Sequence, residues 1–359
     1  MNQVANQVEN FNSNSINSSS VEKNQKKIAL TGDRPTGKLH LGHYVGSLMN
    51  RIKLQDVYQQ YIMVADLQAL TDNFENPEKI NQNILEVVKD YLSVGLFENK
   101  NTIFLQSQIT ELTELTFYYM NLVNLGRLER NPTVKAEIQQ KGYTDELPVG
   151  FLCYPISQAA DISLFKAEVV PVGNDQLPIL EVANDIIRKF NRIYKTSCLV
   201  ECEAYLNEDL KSQRLVGIDG NAKASKSLGN AIFLSDEKDD VRKKIFSMYT
   251  DPDHIKISDP GKVDGNVVFA YLDAFHEDKE ELESLKLHYQ KGGLGDTTIK
   301  EILNNTLQSL LEPIREKRNS LSDEFVMGVL IEGTEKAKES AKKTMLEVRS
   351  AMGISFFSR

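Results

Sequence analysis

Short apolar runs alternate with amphipathic stripes along the first two hundred residues of the chain. Four runs have the length and composition of buried parallel strands and stop at a glycine or a polar residue. They cover residues 28–30 (IAL), 61–66 (YIMVAD), 102–106 (TIFLQ) and 168–173 (EVVPVG). A segment with helical spacing of its apolar residues follows each run, so the pattern predicts alternating strands and helices.

The predicted helices bring their apolar residues to one face at spacings of three and four. Asn76, Pro77 and Glu78 give the second helix an N-cap, a proline at its first position and an acidic first turn. Gly95 can end that helix. The four stripes are Val45, Leu48, Met49 and Ile52; Ile80, Ile84, Val87, Tyr91 and Leu92; Leu112, Leu115, Tyr119 and Leu122; and Ile179, Ala183, Ile186 and Phe190.

After about residue 230 the strand pattern stops. Leu303, Leu307, Leu310 and Ile314 share one helix face, and residues 325–352 form another long helical segment. The pattern predicts an α/β fold, with a doubly wound parallel-sheet (Rossmann-like) domain and an all-helical C-terminal domain. The predicted bounds are 25–230 for the first domain, with a helical insertion at about 108–165, then 231–340 for the helical domain and 341–359 for the end of the C-terminal helix.

Size and composition narrow the class of protein. A chain of 359 residues predicts two domains. The net charge of −9 argues only weakly against a nucleic-acid partner, because a local basic face can still bind one.

Residues 1–24 are rich in Asn and Ser and lack an apolar core and arginine, which predicts a disordered tail rather than a secretory or transit peptide. No apolar run approaches the roughly 20 residues of a membrane span, so we expect no membrane partner.

The three cysteines predict a reducing compartment. Cys153, Cys198 and Cys202 are too few, and odd in number, for a disulfide framework, so we expect a cytoplasmic protein. Cys198 and Cys202 have no second pair at zinc-site spacing and no neighbouring histidine. We interpret them as small buried apolar side chains and expect no metal site in the protein.

A first candidate phosphate site follows the first predicted strand. His40 and His43 lie three residues apart at the position where ligands bind in an α/β sheet, so one helical turn can direct both rings at one anion. A helix that begins near Gly42 offers free N–H groups and a positive dipole end to phosphate. Because the chain has five histidines, this placement favours a site over two unrelated surface histidines.

A second candidate phosphate site lies in the glycine-rich segment 217–230. It carries Lys223 and Lys226, interleaved with Ser225 and Ser227. Lysines bring mobile positive charge to a pyrophosphate, hydroxyls add donors, and flanking glycines let such a loop close. A solvated basic turn has the same composition, but its combination with the histidine motif upstream favours a second phosphate-binding loop.

These motifs resemble the two signatures of class I aminoacyl-tRNA synthetases. His40 to His43 matches the first signature, HIGH, and residues 223–227 (KASKS) match the second, KMSKS, with Ala224 in place of the usual methionine. Two further stretches, 154–163 (YPISQAADIS) and 170–176 (VPVGNDQ), resemble bacterial-type tryptophanyl-tRNA synthetases. The resemblance runs from about residue 27 to 356. It implies a ligase that activates L-tryptophan with ATP, releases pyrophosphate and transfers tryptophan to tRNA(Trp).

The resemblance also implies roles for individual residues. The expected catalytic residues are His40, His43, Lys223 and Lys226. The expected tryptophan-binding residues are Asp161, Leu30, Gln158, Val170, Val172 and Gln176. The expected ATP-binding residues are Arg34, Pro35, Thr36, Gly42, His43, Lys135, Gly173, Asn174, Asp175, Leu215, Lys223, Ala224, Ser225, Lys226 and Ser227, with Asn174 in place of the more frequent glutamate.

Asp161 is the residue expected to select the amino acid. Indole has one hydrogen-bond donor and no acceptor, so a fixed carboxylate rewards tryptophan and leaves phenylalanine without a partner. The alternative is that Asp161 caps a helix. Tyr154, Gln158 and Asp161 also fit the tyrosyl-tRNA synthetase pattern. The VPVGNDQ context, the terminal SAMG and the lack of a separate small C-terminal RNA-binding domain favour tryptophan.

The resemblance further implies ATP as substrate, Mg²⁺ carried with ATP, tRNA(Trp) as partner and a homodimer. The Rossmann-like domain would be catalytic, and the helical domain would read the tRNA anticodon. A non-catalytic RNA-binding paralogue and a small nucleotidyltransferase remain alternatives that the paired signatures and the helical half disfavour. The candidate RNA-binding residues are Arg315, Lys317, Arg318, Lys336, Lys338, Lys342, Lys343 and Arg349.

Overall fold

The chain folds around a parallel sheet, seen in a computed structural model that describes residues 26–144, 146–206, 215–221, 223–226 and 228–355. Within these residues the sheet has five strands in the order β3-β2-β1-β4-β5. The strands are β1 Ile28–Asp33, β2 Gln59–Val64, β3 Asn101–Leu105, β4 Val169–Pro171 and β5 Glu203–Tyr205. The predicted Rossmann-like fold is confirmed, and β5 is a strand that the apolar pattern did not predict.

Ten helices accompany the sheet in the first part of the described chain. They are α1 Leu41–His43, α2 Met49–Leu54, α3 Asp66–Leu70, α4 Pro77–Ser93, α5 Thr110–Met120, α6 Leu125–Glu129, α7 Pro132–Lys141, α8 Val149–Leu152, α9 Tyr154–Leu164 and α10 Leu177–Tyr194. A π-helical segment, Tyr44–Leu48, joins α1 to α2, and 3₁₀ turns cover Gln106–Gln108 and Asn174–Gln176. Beyond β5 the described helices are α11 Lys238–Phe246, α12 Val267–Phe275, α13 Lys279–Lys291, α14 Asp296–Ser320 and α15 Asp323–Met352.

The order of the strands creates a crevice between β1 and β4. Strand β1 pairs with β2 from Ile28 opposite Gln59 to Asp33 opposite Val64, and on its other side Ala29 lies opposite Val169 of β4. The direction of strand succession reverses between β1 and β4, so the loops that leave their carboxyl ends diverge there. Those loops are residues 34–40 and 172–173, which both contain predicted ligand-binding residues.

Two apolar clusters lie on opposite faces of the sheet. Ile62 and Val64 of β2 belong to one cluster, and Tyr61 and Met63 to the other. Successive residues of a strand point to opposite faces, so the alternation assigns one cluster to each side. The cluster with Ile62 continues without a break into the C-terminal helices. It includes Leu303, Leu307, Leu311 and Ile314 of α14, where Leu311 is fully buried and the predicted Leu310 is only partly buried.

The last helix, α15, packs against the edge strand β3. The backbone N–H of Leu105 donates to Oγ1 of Thr334 at 3.1 Å. A β-carbon on Gly333 would overlap the carbonyl oxygen of Ile103, so helix and strand are in backbone contact. β3 is the outermost strand and pairs with β2 on its other side, so these contacts place α15 along the outer edge of the sheet. The helix runs unbroken through residue 340; the predicted domain bounds stay a prediction.

Details of the predicted helices differ from expectation. The first stripe is interrupted by the π-helical segment, and polar Asn50 and Arg51 are buried beside it. Asn76 precedes α4 as predicted, but its side chain makes no capping hydrogen bond.

None of the helices in the described ranges combines the length and the hydrophobicity needed to cross a membrane. No group of three or more acidic, histidine or cysteine side chains in those ranges could hold a metal ion.

Candidate active site

A cleft of about 1930 Å³ opens at the carboxyl ends of β1 and β4. Its walls come from the loop after β1, helix α9, the loop after β4 and the segment that contains the second signature. The predicted site residues on these walls are Leu30, Arg34, Thr36, His40, Gly42, His43, Gln158, Asp161, Val170, Val172, Gly173, Asn174, Asp175, Gln176, Lys223, Ala224, Ser225 and Lys226. Segments far apart in sequence therefore meet in one cavity.

His40 and His43 hold each other in place at the start of α1. The backbone N–H of His40 donates to Nδ1 of His43 at 3.2 Å, and the backbone N–H of Gly42 donates to Nδ1 of His40 at 3.1 Å. The ring centroids are 3.9 Å apart. Because each Nδ1 accepts a hydrogen bond, the proton of each neutral ring is on Nε2. Each ring therefore keeps one Nε2–H donor.

Burial keeps both histidines neutral. Burial, together with His43 and the nearby lysines, lowers the pKa of His40 to about 2. Burial also lowers the pKa of His43 to about 4, although the charge of Asp33 opposes this shift. At neutral pH the pair consists of two uncharged donors, and the positive charge of the site comes from the lysines.

A buried polar network lies behind the histidines. Nη1 of Arg51 is 2.6 Å from Oδ2 of Asp33, and the hydroxyl of Tyr91 donates to the same oxygen at 2.8 Å. Nη2 of Arg51 donates to the carbonyl oxygen of Gly32 at 3.2 Å. Burial raises the pKa of Asp33, but Arg51 outweighs it and holds that pKa well below its usual range. The network holds the end of β1 in place, and no pattern in the sequence indicates it.

The second signature loop closes over the first. Nζ of Lys226 donates to the carbonyl oxygen of Gly37 at 2.6 Å, and a β-carbon on Gly37 would lie 3.2 Å from Cδ of Lys226. Phe233, just after the loop, forms an antiparallel bridge with His40. Burial lowers the pKa of Lys226 to about 8. The contacts place this lysine over the turn that precedes the histidines.

Asn230 organises the second signature loop and was not predicted. Its Oδ1 accepts the backbone N–H of Ser225 at 2.8 Å, and its Nδ2 donates to Asp219 at 3.1 Å. Ala224, which replaces the usual methionine, is 3% exposed and lies beside Gly42. Ser227 lies outside the described residues.

Asp161 lies inside α9 and faces the cleft. It is the eighth residue of that helix and 2% exposed, so it does not cap a helix. Nε2 of Gln106 donates to both of its carboxylate oxygens, at 2.9 and 3.1 Å. Burial raises the pKa of Asp161 to about 7, and the hydrogen bond from Gln106 opposes that rise. The site therefore contains a carboxylate whose charge depends on its immediate neighbours.

Apolar side chains line the same cleft as this carboxylate. Leu30 of β1 and Val170 of β4 are 3% and 7% exposed and line the same cavity. Val172, Gln158 and Gln176 also line it. The two histidines lie within electrostatic reach of the two lysines, whereas among the described residues burial and Gln106 alone set the pKa of Asp161.

Comparison with known proteins decides the family. The family model for class I tRNA synthetases of the W and Y type matches residues 22–312. The chain is 57% identical to the tryptophan–tRNA ligase of Clostridium longisporum over 93% of this chain and 98% of that protein. It is 58% identical to a tryptophan–tRNA ligase of Streptococcus pyogenes over 92% and 99%. The chain belongs to the tryptophanyl-tRNA synthetase family.

The fold of the synthetase agrees with this assignment. A crystal structure of tryptophanyl-tRNA synthetase from Campylobacter jejuni, complexed with ADP and tryptophan, has a TM-score of 0.80 and 31% sequence identity. It covers 91% of this chain and 99% of its own. The family model groups tryptophanyl and tyrosyl enzymes together, and the curated relatives resolve that ambiguity in favour of tryptophan.

Three of the predicted site residues within the described ranges do not line the cleft of the synthetase. They are Pro35, Lys135 and Leu215. Lys135 is exposed on α7, and the same helix presents Glu137 and Lys141 to the cleft instead. Lys141 and Arg34 both pair with Asp72, the latter at 2.9 Å. These contacts connect the insertion to the loop after β1.

The predicted RNA-binding cations of the synthetase differ in their surroundings. Arg318 pairs with Asp90 and Glu86, and its side chain is 10% exposed. Arg315 donates to Gln308 and Arg349 to Glu114. These three arginines face protein groups, which the charge pattern alone could not indicate. Lys317, Lys342 and Lys343 are exposed.

Proposed function

We propose that this cleft activates L-tryptophan with ATP and that the protein then transfers tryptophan to tRNA(Trp). The observation that carries the proposal is Asp161, a buried carboxylate that lines the same cleft as the paired histidines and lysines of the two signatures. Membership of the tryptophanyl-tRNA synthetase family supports it.

Asp161 selects the amino acid in this proposal. Its carboxylate accepts the indole N–H, while Leu30, Val170 and Val172 contact the ring. Gln158 and Gln176 lie near the substrate amine. A charge-assisted hydrogen bond of this kind contributes roughly 1.5–3 kcal/mol. Phenylalanine would bury the same carboxylate without a donor, which adds a desolvation penalty.

The phosphate end positions ATP and neutralises charge. The tryptophan carboxylate attacks the α-phosphorus, and pyrophosphate leaves in line, so the reactants already carry the nucleophile and no protein base is needed. His40 and His43 donate Nε2–H groups to phosphate oxygens. Lys223 and Lys226 stabilise the departing pyrophosphate, together with Mg²⁺ carried by ATP.

The nucleoside lies along the first signature and the loop after β4. Arg34, Thr36, Gly42 and the 3₁₀ turn Asn174–Gln176 border that part of the cleft. A β-carbon on Gly173 would lie 2.7 Å from Oδ1 of Asp175, so the chain needs glycine at this position if Asp175 is to stay in place. Pro35, Lys135, Leu215 and Ser227 are proposed as ATP contacts from the resemblance alone.

Assembly and tRNA binding complete the proposal. We propose a cytoplasmic homodimer that joins through the insertion, where Phe117, Met120 and Leu125 are 67%, 41% and 58% exposed. Exposed apolar side chains this close together on one segment are typical of an interface. The helical segment 231–340 contacts the tRNA anticodon, and exposed lysines such as Lys317 supply charge for RNA.

Asp161→Ala and Asp161→Asn test the proposal. ATP–pyrophosphate exchange is measured with tryptophan, tyrosine and phenylalanine. We expect kcat/KM for tryptophan to fall by roughly 10- to 100-fold and its advantage over phenylalanine to shrink. Glu181→Ala, an exposed carboxylate on the neighbouring helix α10, is the matched control and should change neither value.

Two outcomes would contradict the proposal. If the Asp161 variants keep the wild-type ratios among amino acids and lose only stability, Asp161 has a structural role. If the wild type prefers tyrosine, the amino acid is assigned incorrectly. The chain contains no tryptophan, so the indole fluorescence of added L-tryptophan reports binding without background from protein indole groups.

A further inference from the structure

Gln106 lies behind the proposed selectivity carboxylate, outside the cleft wall. It follows β3 directly, in the 3₁₀ turn Gln106–Gln108, and is 1% exposed. Its Nε2 donates to both oxygens of Asp161, at 2.9 and 3.1 Å. Its Oε1 accepts the backbone N–H of Gln68 at 3.0 Å. One side chain therefore links β3, α3 and α9.

The two sets of hydrogen bonds fix the orientation of the Gln106 amide. A backbone N–H can only donate, so the group that faces Gln68 must be the carbonyl oxygen. The amide nitrogen must then face Asp161, where it donates to an acceptor. A flipped amide would place two donors against each other at Gln68 and two acceptors against each other at Asp161. The backbone of α3 thus determines that the amide nitrogen of Gln106, and not its oxygen, faces the Asp161 carboxylate.

We propose that Gln106 is a positioning residue for amino-acid selection, which holds the Asp161 carboxylate in plane and ionised so that it can accept the indole N–H. This inference rests on the function proposed above, because it assigns the task of supporting Asp161 to a residue that touches no substrate. Gln106 does not border the cleft, whereas Asp161 does.

Among the described groups around Asp161, Gln106 is the one that favours the ionised form of its carboxylate. Burial raises the pKa of Asp161 to about 7, and the Gln106 hydrogen bonds are the influence that lowers it. Helices α5, α8, α10 and α15 pack against α9, and Tyr119 of α5 contacts Ser163 of α9. Neither Tyr119 nor any other titratable group among the described residues of these helices contributes to the pKa of Asp161. A carboxylate without a cation nearby depends on neutral donors to stay charged.

The test compares pH profiles of Gln106→Met and Gln106→Glu with the wild type. Methionine keeps the length of the side chain and removes the donor; glutamate keeps the shape and adds a like charge. kcat/KM for tryptophan is measured by pyrophosphate exchange from about pH 6 to about pH 9. At low pH, kcat/KM for tryptophan should fall as Asp161 becomes protonated; this fall is the acid limb of the profile. Losing a hydrogen bond to the charged carboxylate should move the acid limb to higher pH by about one to two units. The shift should be larger for glutamate.

The expected loss is confined to tryptophan and to low pH. For Gln106→Met, KM for tryptophan should rise several-fold near pH 7 and return to within about twofold of the wild type near pH 9, while KM for ATP stays unchanged. Gln108→Met, two residues along and exposed, is the matched control and should keep the wild-type profile. Circular dichroism and urea unfolding show whether each variant is folded.

Three outcomes are distinguishable. A loss that is equal at every pH, or a profile identical to the wild type, overturns the role of Gln106. If the acid limb of the wild-type pH profile is still present in Asp161→Asn, Asp161 is not the group that titrates. That result overturns the role of Asp161 and the proposed selection mechanism with it. If Gln106→Met does not fold, the profile of the isosteric Gln106→Glu decides between these outcomes.

Discussion

Replacing Arg318 with methionine should leave a buried carboxylate without its counter-ion. Asp90 is 0% exposed and accepts from Nε of Arg318 at 2.9 Å and from the backbone N–H of Leu39 at 2.7 Å. Nη2 of Arg318 also donates to Glu86 at 2.6 Å. Removing one partner of a buried pair costs about 3–5 kcal/mol, because the remaining charge stays desolvated. We expect Arg318→Met to lose that much of its free energy of unfolding.

A second substitution isolates the charge as the cause. In the double variant Arg318→Met/Asp90→Asn, the amide oxygen of the introduced asparagine still accepts from Leu39, and no unpaired charge is buried. Urea unfolding followed by circular dichroism should show the double variant recovering at least half of the loss. Arg242→Met, which breaks an exposed pair with Glu301, is the control and should leave the unfolding midpoint nearly unchanged.

The pH dependence gives an independent check. Burial raises the pKa of Asp90 in the folded protein even with Arg318 present. A raised carboxyl pKa favours the folded state at low pH and loses that contribution as pH rises. Without Arg318 the pKa of Asp90 rises further, so the deficit of Arg318→Met should shrink as the pH is lowered. A deficit below about 1 kcal/mol, or a double variant as unstable as the single one, refutes the reasoning.

Two further predictions concern the signature loop and the last helix. Lys226→Ala should slow single-turnover formation of the adenylate by on the order of 10²–10³ while leaving tryptophan binding, read by its fluorescence, nearly unchanged; an unaltered rate of activation would rule out its role at pyrophosphate. Gly333→Ala should destabilise the protein by about 1–3 kcal/mol, since its β-carbon would overlap the carbonyl oxygen of Ile103. Gly328→Ala on the same helix meets nothing within 4 Å and should be neutral or stabilising in the same urea titration, so equal effects at the two glycines would contradict the contact.

Local patterns were sufficient to predict most of the sheet. Strands β1 to β4 are apolar runs, and an apolar run is visible without knowledge of its partners. Strand β5 is three residues long, and Glu203 and Ala204 in it are exposed, so no such run marks it. The meeting of the two signature loops was expected from the resemblance to class I synthetases, which assigns both motifs to the phosphates of ATP. The strand pattern did not indicate it, because no predicted strand directly precedes the second motif.

Residues that act through distant partners could not be predicted. Gln106 stands at the end of an apolar run and has the appearance of an ordinary strand terminus. Its partner Asp161 is 55 residues away, and the partners Asp90 and Arg318 are 228 residues apart. A single sequence carries no sign of such pairings, and the burial that shifts a pKa depends on packing that no local pattern encodes.

Because α15 covers the edge of β3, that edge of the sheet is protected only late in synthesis. Leu105 and Thr334, which join the two elements, are 229 residues apart. At about 5–20 residues per second, a ribosome needs on the order of 10–50 s to make the second after the first. During that interval the nascent chain carries an unpaired edge strand, which is a template for association with other chains. A stop codon before residue 323 would leave every strand of the sheet in place and keep that edge permanently open.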